Sequence, residues 1–359
     1  MDTSELDYRL PPAQIAQTPR EPRDAARLLV DRGPGAAPAH RTVADLPDLL
    51  EPGDLLVVND TRVVPARLRL VKPTGGQVEV LLLERHPDGR WEALLRPGRR
   101  VAPGTMLRPP APEATPLVVE VGSPVAAAAD DGRRWVRLLD PGADGAGRGP
   151  GDDAAAELEL LGRVGEVPLP PYVHEPLADA ERYQTVYAAR PGSVAAPTAG
   201  LHLTQGVLDR CRARGIGIAT VDLVVGLGTF RPIAAERVED HQMHAERYRV
   251  PPATIAAIDA ARRVVAIGTT VVRALESWAA TGEPDASTEL FVHGDHQLQV
   301  VDRLLTNFHV PRSSLLALVD VFVGPRWREL YAVALAEGYR FLSFGDAMLV
   351  DRRTGPVRP

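Results

Sequence analysis

Val264-Val265-Ala266-Ile267-Gly268-Thr269-Thr270, running on into Val271 to Ala280, is the stretch that decides the fold class. Four consecutive apolar residues suit a short strand buried on both faces. The glycine permits a tight turn, and the two threonines stand where a helix begins. Strand, turn and helix in that order are the building unit of an α/β domain. The same grammar extends outward on both sides. Upstream, Leu208 to Arg214 reads as a helix, Gly215 as its C-terminal signal, Ile216 to Val225 as a strand and Pro252 to Arg263 as a helix. Downstream, Leu304 to Val310 reads as a strand, Ser313-Ser314 as the cap of a helix through Leu318, and Arg328 to Glu337 as a helix closed by Gly338. Tyr339 to Phe344 reads as one more strand. Near the N-terminus, Leu55-Leu56-Val57-Val58 is a buried strand ending in Asn59-Asp60-Thr61-Arg62.

Between these parts the pattern changes. Val63 to Leu70, Gln77 to Leu83, Trp91 to Leu95, Leu117 to Val121 and Trp135 to Leu139 are short alternating runs separated by Gly, Pro and Asp. Such spacing predicts a small antiparallel barrel or sandwich, of which an inserted barrel gives the simplest architecture. The expected architecture is an α/β domain with a largely parallel sheet, residues 1–65 and 166–359, interrupted by a β-barrel at 66–165. A Gly/Asp/Pro-rich tract near 140–153 lacks apolar anchors and is expected to be a mobile loop.

The chain has 359 residues, of which 45% are hydrophobic, so it can bury a sizeable core and is not wholly disordered. No apolar run approaches the ~18 residues of a membrane span, and Met1-Asp2-Thr3-Ser4-Glu5 lacks the apolar region of a signal peptide. Cys211 is the only cysteine, which excludes an intrachain disulfide and a thiolate zinc cluster and favours a cytoplasmic location. Lys72 is the only lysine among 41 basic residues, and the net charge is −6. That balance argues against non-specific coating of nucleic acid. Charge is unevenly spread, however: Arg62 to Arg108 carries ten basic and four acidic residues, whereas Met1 to Asp60 carries six and eleven. The basic stretch is either a solvated face or a surface for a phosphate backbone.

In open α/β sheets ligands bind beyond the carboxyl ends of the strands. Three predicted strands end there in polar side chains: Asn59-Asp60-Thr61-Arg62, Gly268-Thr269-Thr270 and Thr306-Asn307-Phe308-His309. Thr269 and Thr270 either cap a helix or offer its free N–H groups to an anion. Ala196-Pro197-Thr198-Ala199-Gly200-Leu201-His202 is a loop of small residues ending in histidine. Small residues let backbone approach a ligand, and His202 is either a proton carrier or a hydrogen-bonded structural residue. Glu239-Asp240-His241-Gln242-Met243-His244-Ala245-Glu246 concentrates ionisable groups. If helical, it puts His241 and His244 on one face. It is then either an imidazole and carboxylate metal site or a polar wall that orients substrate and moves protons.

Further segments join these into a recognisable series. They are Gly162-Arg163-Val164-Gly165-Glu166-Val167-Pro168-Leu169-Pro170-Pro171-Tyr172, Tyr183-Gln184-Thr185-Val186-Tyr187, Gly268-Thr269-Thr270 with Arg273, and Gly345-Asp346-Ala347-Met348. With the motifs above, in register from about Leu6 to Val350, the chain closely resembles the S-adenosylmethionine:tRNA ribosyltransferase-isomerase family of queuosine synthesis. The resemblance implies an α/β domain with an inserted barrel. It also implies transfer of the ribosyl portion of S-adenosylmethionine to the aminomethyl group of a 7-deazaguanine base in tRNA. Adenine and methionine leave and an epoxy-cyclopentanediol remains, giving epoxyqueuosine. Because the sulfonium acidifies the neighbouring 5′ carbon, no metal or cofactor beyond the co-substrate S-adenosylmethionine is implied. Carried over by motif, the catalytic candidates are His202, Asp240, His241, His244 and His309. The substrate-binding candidates are Asn59, Asp60, Arg62, Thr198, Gly200, Gly268, Thr269, Thr270, Arg273, Asn307 and Asp346.

Several positions depart from the family pattern. Leu223-Val224-Val225-Gly226 stands where Leu-His-Val-Gly is usual, and His293-Gly294-Asp295 where Tyr-Pro-Gly is usual. Asp320 replaces a small hydroxyl residue and Ala26 a serine. These departures motivate the alternative of a divergent member that uses S-adenosylmethionine with a small-molecule acceptor instead of tRNA.

Overall fold

The computed structural model describes residues 1–110, 117–125, 132–140, 154–226 and 232–353, apart from the side chain of Arg99. Most of the predicted loop near 140–153 lies outside the described residues. The chain forms two compact units, one of Met1–Arg62, Pro170–Arg190 and Ala196–Pro359, the other of Val63–Leu169 and Pro191–Ala195. The chain passes between them four times, within the short strands β4 (Thr61–Val63) and β11 (Arg190–Ser193) and after Leu169 and Ala195.

The first unit is built on nine strands: β1 (Arg27–Val30), β2 (Ala39–Thr42), β3 (Asp54–Asn59), β12 (Gly217–Leu223), β13 (Glu246–Arg249), β14 (Arg263–Ile267), β15 (Asp285–Thr288), β16 (Arg303–Asn307) and β17 (Ala347–Asp351). They lie in the order β15-β13-β12-β3-β14-β16-β17-β1-β2. The centre, β12-β3-β14-β16, is parallel throughout. Leu55 to Val58 of β3 and Val264 to Ile267 of β14 are apolar and buried on both faces, as a covered parallel sheet requires. Leu56, Val58, Val265, Ile267, Leu305 and Leu349 share one apolar cluster with Val207, Leu208 and Cys211 of α3 (Gln205–Ala213). α5 (Thr269–Thr281) packs on β12, β3, β14 and β16, and its Val271, Val272 and Leu275 are buried. Each such buried side chain contributes about 1.5–3 kcal/mol.

Outside the centre, the expectation of a largely parallel sheet is corrected: the sheet is mixed. β13 and β15 add antiparallel on one side, and β17 runs antiparallel to β16 on the other, parallel to β1. The reason lies in the connection. Two helices, α6 (Ser314–Val323) and α7 (Trp327–Ala336), separate β16 from β17. β17 starts opposite the last residue of β16, Ala347 against Asn307, so the chain re-enters at the end where β16 leaves and runs backwards. The strand expected at Tyr339 to Phe344 is also corrected. Tyr339, Phe341 and Phe344 are buried in an irregular segment, with Leu342 at φ 68°, and the strand begins at Ala347. The apolar run there reports burial, not extension. α1 (Leu46–Leu49) and α4 (Pro252–Ala260) complete the helices of this unit.

In the second unit β5 (Arg67–Val71), β6 (Gln77–Arg85), β7 (Trp91–Arg96), β10 (Arg133–Leu139), β9 (Val118–Pro124) and β8 (Met106–Leu107) pair antiparallel in that order. An antiparallel bridge from Val71 to Arg108 links the two edges, so the sheet is nearly closed like a barrel. α2 (Ala154–Val164), which the sequence reading missed, buries Glu157, Leu160 and Leu161. Glu157 accepts from Arg85 Nε at 2.7 Å and Trp91 Nε1 at 3.2 Å. Among the described residues, no helix is long and apolar enough to cross a membrane.

Candidate functional site

A cleft of about 580 Å³ opens beyond the carboxyl ends of β14 and β16. Its walls come from Ala196 to Ala199, Gly268 to Thr270 and Thr306 to Val310, with Tyr172, Val225, Leu315, Leu342 and Ser343. Three of the four predicted strand-end and loop motifs therefore meet. The fourth, at Asn59 to Arg62, does not line the cleft.

Asn307, the last residue of β16, is buried and organises one wall. Its Oδ1 accepts from Thr198 Oγ1 at 3.2 Å. Its Nδ2 faces His202 Nε2 at 2.9 Å, the Leu342 carbonyl at 3.1 Å and the Asp346 carbonyl at 3.3 Å. An amide nitrogen only donates, so His202 accepts at Nε2 and carries its proton on Nδ1. Burial holds the His202 pKa down to about 4, against the opposing pull of the Asp346 carboxylate. His309 lines the cleft, and its Nε2 lies 2.9 Å from Thr306 Oγ1. Its backbone N–H donates to Tyr331 OH at 3.0 Å. Burial holds its pKa down to about 3. Both imidazoles are therefore neutral near pH 7.

Beyond the end of β14, Gly268 takes φ 95° at the start of α5 and provides no side-chain cap. Thr269 and Thr270 follow it on the cleft wall. Thr270 Oγ1 is buried and has no hydrogen-bond partner among the described residues. The 3₁₀ turn Thr198–His202 brings Thr198 to the cleft. Gly200 plays a different part from the one its small size suggested. A Cβ there would stand 2.0 Å from Tyr187 OH, so its missing side chain makes room for the hydroxyl of a half-buried tyrosine.

A second pocket of about 340 Å³ shares Thr269, Thr270 and Leu315 with the cleft and adds Met243, Glu246, Arg273 and Phe291. Arg273 is buried and donates to the Glu246 carboxylate, to the Leu290 carbonyl at 3.1 Å and to the Thr288 carbonyl at 3.3 Å. Its guanidinium ties α5 to the strand edge.

The segment from Glu239 to Glu246 is not helical as a whole. A 3₁₀ turn, Val238–Asp240, gives way to an irregular loop, so His241 and His244 do not share a helix face. The interleaved Met243 turns to the second pocket, and this apolar anchor in a polar run sets an extended path. His244 and Asp240 are exposed. His241 is half-buried with its ring edge on Phe291, centroids 5.5 Å apart, and burial followed by the neighbouring His244 lowers its pKa. Among the described residues, no group of three or more His, Cys, Asp or Glu is placed to hold an ion.

The remaining predicted residues sit away from the cleft wall. Asn59 ties β3 to β12: its Nδ2 donates to the Leu223 carbonyl at 3.0 Å and its Oδ1 accepts from the Leu223 and Thr61 N–H groups. Asp346 is fully buried and accepts from Arg20 Nε at 3.2 Å and from the N–H groups of Arg27 and Arg340 at 2.9 and 2.8 Å. Arg62 pairs with Glu181. Asp60 is buried with one oxygen unpartnered and the other 3.4 Å from Arg190 Nε, and burial raises its pKa.

Sequence reasoning missed Asp222. Val221 pairs with Asn59, so Asp222 takes the next register position, beside Asp60 on the parallel neighbour. Burial, then the Asp60 charge, raises its pKa. A lone carboxylate between Val221 and Leu223 was its only signal. Ser343, whose Oγ lies 2.7 Å from Tyr172 OH on the cleft wall, had none. Of the basic stretch, Arg69, Arg85 and Arg90 are engaged by Glu166, Glu157 and Asp88, whereas Arg96 and Arg100 are exposed.

Comparison with known proteins bears on all of this. A family profile described as "Queuosine biosynthesis protein" matches residues 3–350. The S-adenosylmethionine:tRNA ribosyltransferase-isomerase of Rubrobacter xylanophilus is 50% identical over 352 residues, spanning 98% of this chain and 98% of its own. That of Thermus thermophilus is 49% identical over 355 residues, spanning 96% of this chain and 98% of its own. The crystal structure of S-adenosylmethionine tRNA ribosyltransferase from Thermotoga maritima is similar at a TM-score of 0.52 and 34% identity, covering 96% of this chain and 99% of the other.

Proposed function

The chain belongs to the queuosine biosynthesis family of S-adenosylmethionine:tRNA ribosyltransferase-isomerases, and from that premise we propose that it transfers and isomerises the ribosyl part of S-adenosylmethionine onto the aminomethyl group of a 7-deazaguanine base in tRNA. Adenine and methionine leave and epoxyqueuosine results, with no cofactor beyond the co-substrate. The reaction belongs to the discontinuous α/β domain, 1–65 and 166–359, with 66–165 as the inserted domain. The observation that carries this reading is the meeting of Thr198, Thr269, Thr270, Asn307 and His309 in one cleft at the carboxyl ends of two parallel strands.

The family reaction needs a place to hold the donor, a dry environment and a proton carrier. The cleft supplies the first two, since apolar Val225, Leu315 and Leu342 surround its few polar groups. His202 and His309, neutral and already hydrogen-bonded, orient Asn307 and the wall around it. Proton exchange falls to the Asp240-His241-His244 segment, whose imidazoles reach solvent beside the second pocket. Exposed Arg96 and Arg100 supply part of a phosphate-facing surface for tRNA, and a tRNA substrate fits a cytoplasmic location. A divergent small-molecule acceptor is the second reading. It is favoured by His293, whose ring packs at a tilt against Phe291 with centroids 4.5 Å apart, where the family pattern has tyrosine.

Leu315→Trp tests the location of the reaction. The indole fills space common to both pockets, so turnover should vanish while circular dichroism and melting stay near the parent. Full turnover in the folded variant would place the reaction elsewhere.

A further inference from the structure

We propose that the start of α5, Gly268 to Thr270, is the seat of the donor's methionyl carboxylate. This assignment rests on the reading of the cleft as the S-adenosylmethionine site and adds which end of the donor lies where. The helix has 13 residues, long enough for a full N-terminal partial positive charge. Its N-cap is Gly268, which has no side-chain oxygen to satisfy the first N–H groups. Independently, Thr270 Oγ1 is buried, with the residue only 8% exposed, and finds no partner among the described residues while its side chain lines both pockets. A buried hydroxyl left without a partner is costly, and such groups mark places where something else binds.

The chemistry of the occupant follows from these donors. N–H groups and a hydroxyl at the positive end of a helix select an anion that accepts several hydrogen bonds. S-Adenosylmethionine has one such group: its sulfonium and ammonium are cations, and its adenine and ribose are neutral. The nearest guanidinium on the helix, Arg273, is occupied by Glu246 and two carbonyls, so backbone dipole and hydroxyl must hold the carboxylate. The seat lies at Thr269 and Thr270, where cleft and second pocket join, so the methionyl end occupies the junction. Anchoring there fixes the leaving group and, through it, the sulfonium.

Calorimetric titration of the full chain with S-adenosylmethionine and with its decarboxylated analogue decides the matter. Each is measured alone and with tRNA bearing guanine at the target position, which lacks the aminomethyl nucleophile and cannot react. The parent should bind the carboxylated donor at least about tenfold more tightly, as for hydrogen bonds to a charged group. Thr270→Val should weaken S-adenosylmethionine about ten- to a hundredfold and leave the analogue within about threefold, while Thr270→Ser keeps the parent preference. Thr270→Ala removes the hydroxyl without adding bulk and should behave as the valine does, giving the same reading if valine does not pack. Equal binding of both ligands by the parent, or equal weakening of both by the valine and alanine variants, would overturn the assignment. A parent that binds neither ligand, with or without tRNA, would instead overturn the proposed function itself.

Discussion

His202 and His309 are held as neutral imidazoles, and acid should therefore unfold the α/β unit in a way that two substitutions remove. Burial keeps their pKa values at about 4 and about 3, against an ordinary 6.5. Below ~6.5 the unfolded chain takes up two protons that the folded chain refuses, so their contribution to stability is intact above that pH and is lost as pH falls toward about 4 and then about 3. Between pH ~7 and ~5.5 each imidazole loses about 1.2 kcal/mol, or about 2.5 kcal/mol for the pair. For a unit of this size that lowers the melting temperature by about 5–10 °C. His202→Gln with His309→Gln keeps neutral hydrogen-bonding side chains that do not titrate. Whatever the starting stability of the double variant, its melting temperature should change correspondingly less over the same pH interval. Calorimetric melting of both proteins across that range reads the difference. Parallel curves would refute the claim that these imidazoles are buried and neutral.

Other outcomes follow from individual contacts. Glu157→Ala removes the acceptor of Arg85 and Trp91 and should destabilise the barrel-like unit by about 3 kcal/mol in urea unfolding. His244→Ala should lower turnover by roughly 10²–10⁴-fold if the 240–244 loop carries the proton, and near-normal single-turnover rates would return it to a surface role. Reversing Arg96 and Arg100 should weaken tRNA binding and reduce its salt slope by about 0.7 per charge on single-stranded segments, read by filter binding across ionic strength. Val224→His with Tyr-Pro-Gly at 293–295 should leave S-adenosylmethionine affinity unchanged in calorimetry. Loss of that affinity would put these departures in the donor pocket.

What the sequence made legible was local. Leu55 to Val58 and Val264 to Ile267 announce buried strands by being apolar at every position, and both lie at the sheet centre. Gly268-Thr269-Thr270 and Ser313-Ser314 mark helix starts, and Ser313 caps α6 through Leu316 N–H. What it concealed depends on partners far away in the chain. The reversal of β17 follows from how two successive helices return to β16. Whether His202 carries a proton or accepts a hydrogen bond depends on Asn307, 105 residues further on. Asn59 and Asp346, which their motifs recommended as ligand contacts, also hydrogen-bond backbone groups of neighbouring segments. Spacing alone shows a polar residue at a strand end, but not whether it faces the cleft or braces the strands behind it.

The central claim is that this chain joins ribosyl carbon from S-adenosylmethionine to a base in tRNA. It is tested most directly by incubating the protein with S-adenosylmethionine and tRNA bearing 7-aminomethyl-7-deazaguanine, then measuring nucleosides and released small molecules together by mass spectrometry. The account predicts epoxyqueuosine in the tRNA digest, with adenine and methionine released in equal amounts to it. Unmodified tRNA beside intact S-adenosylmethionine, or modification of the free base but not of the tRNA, would contradict it.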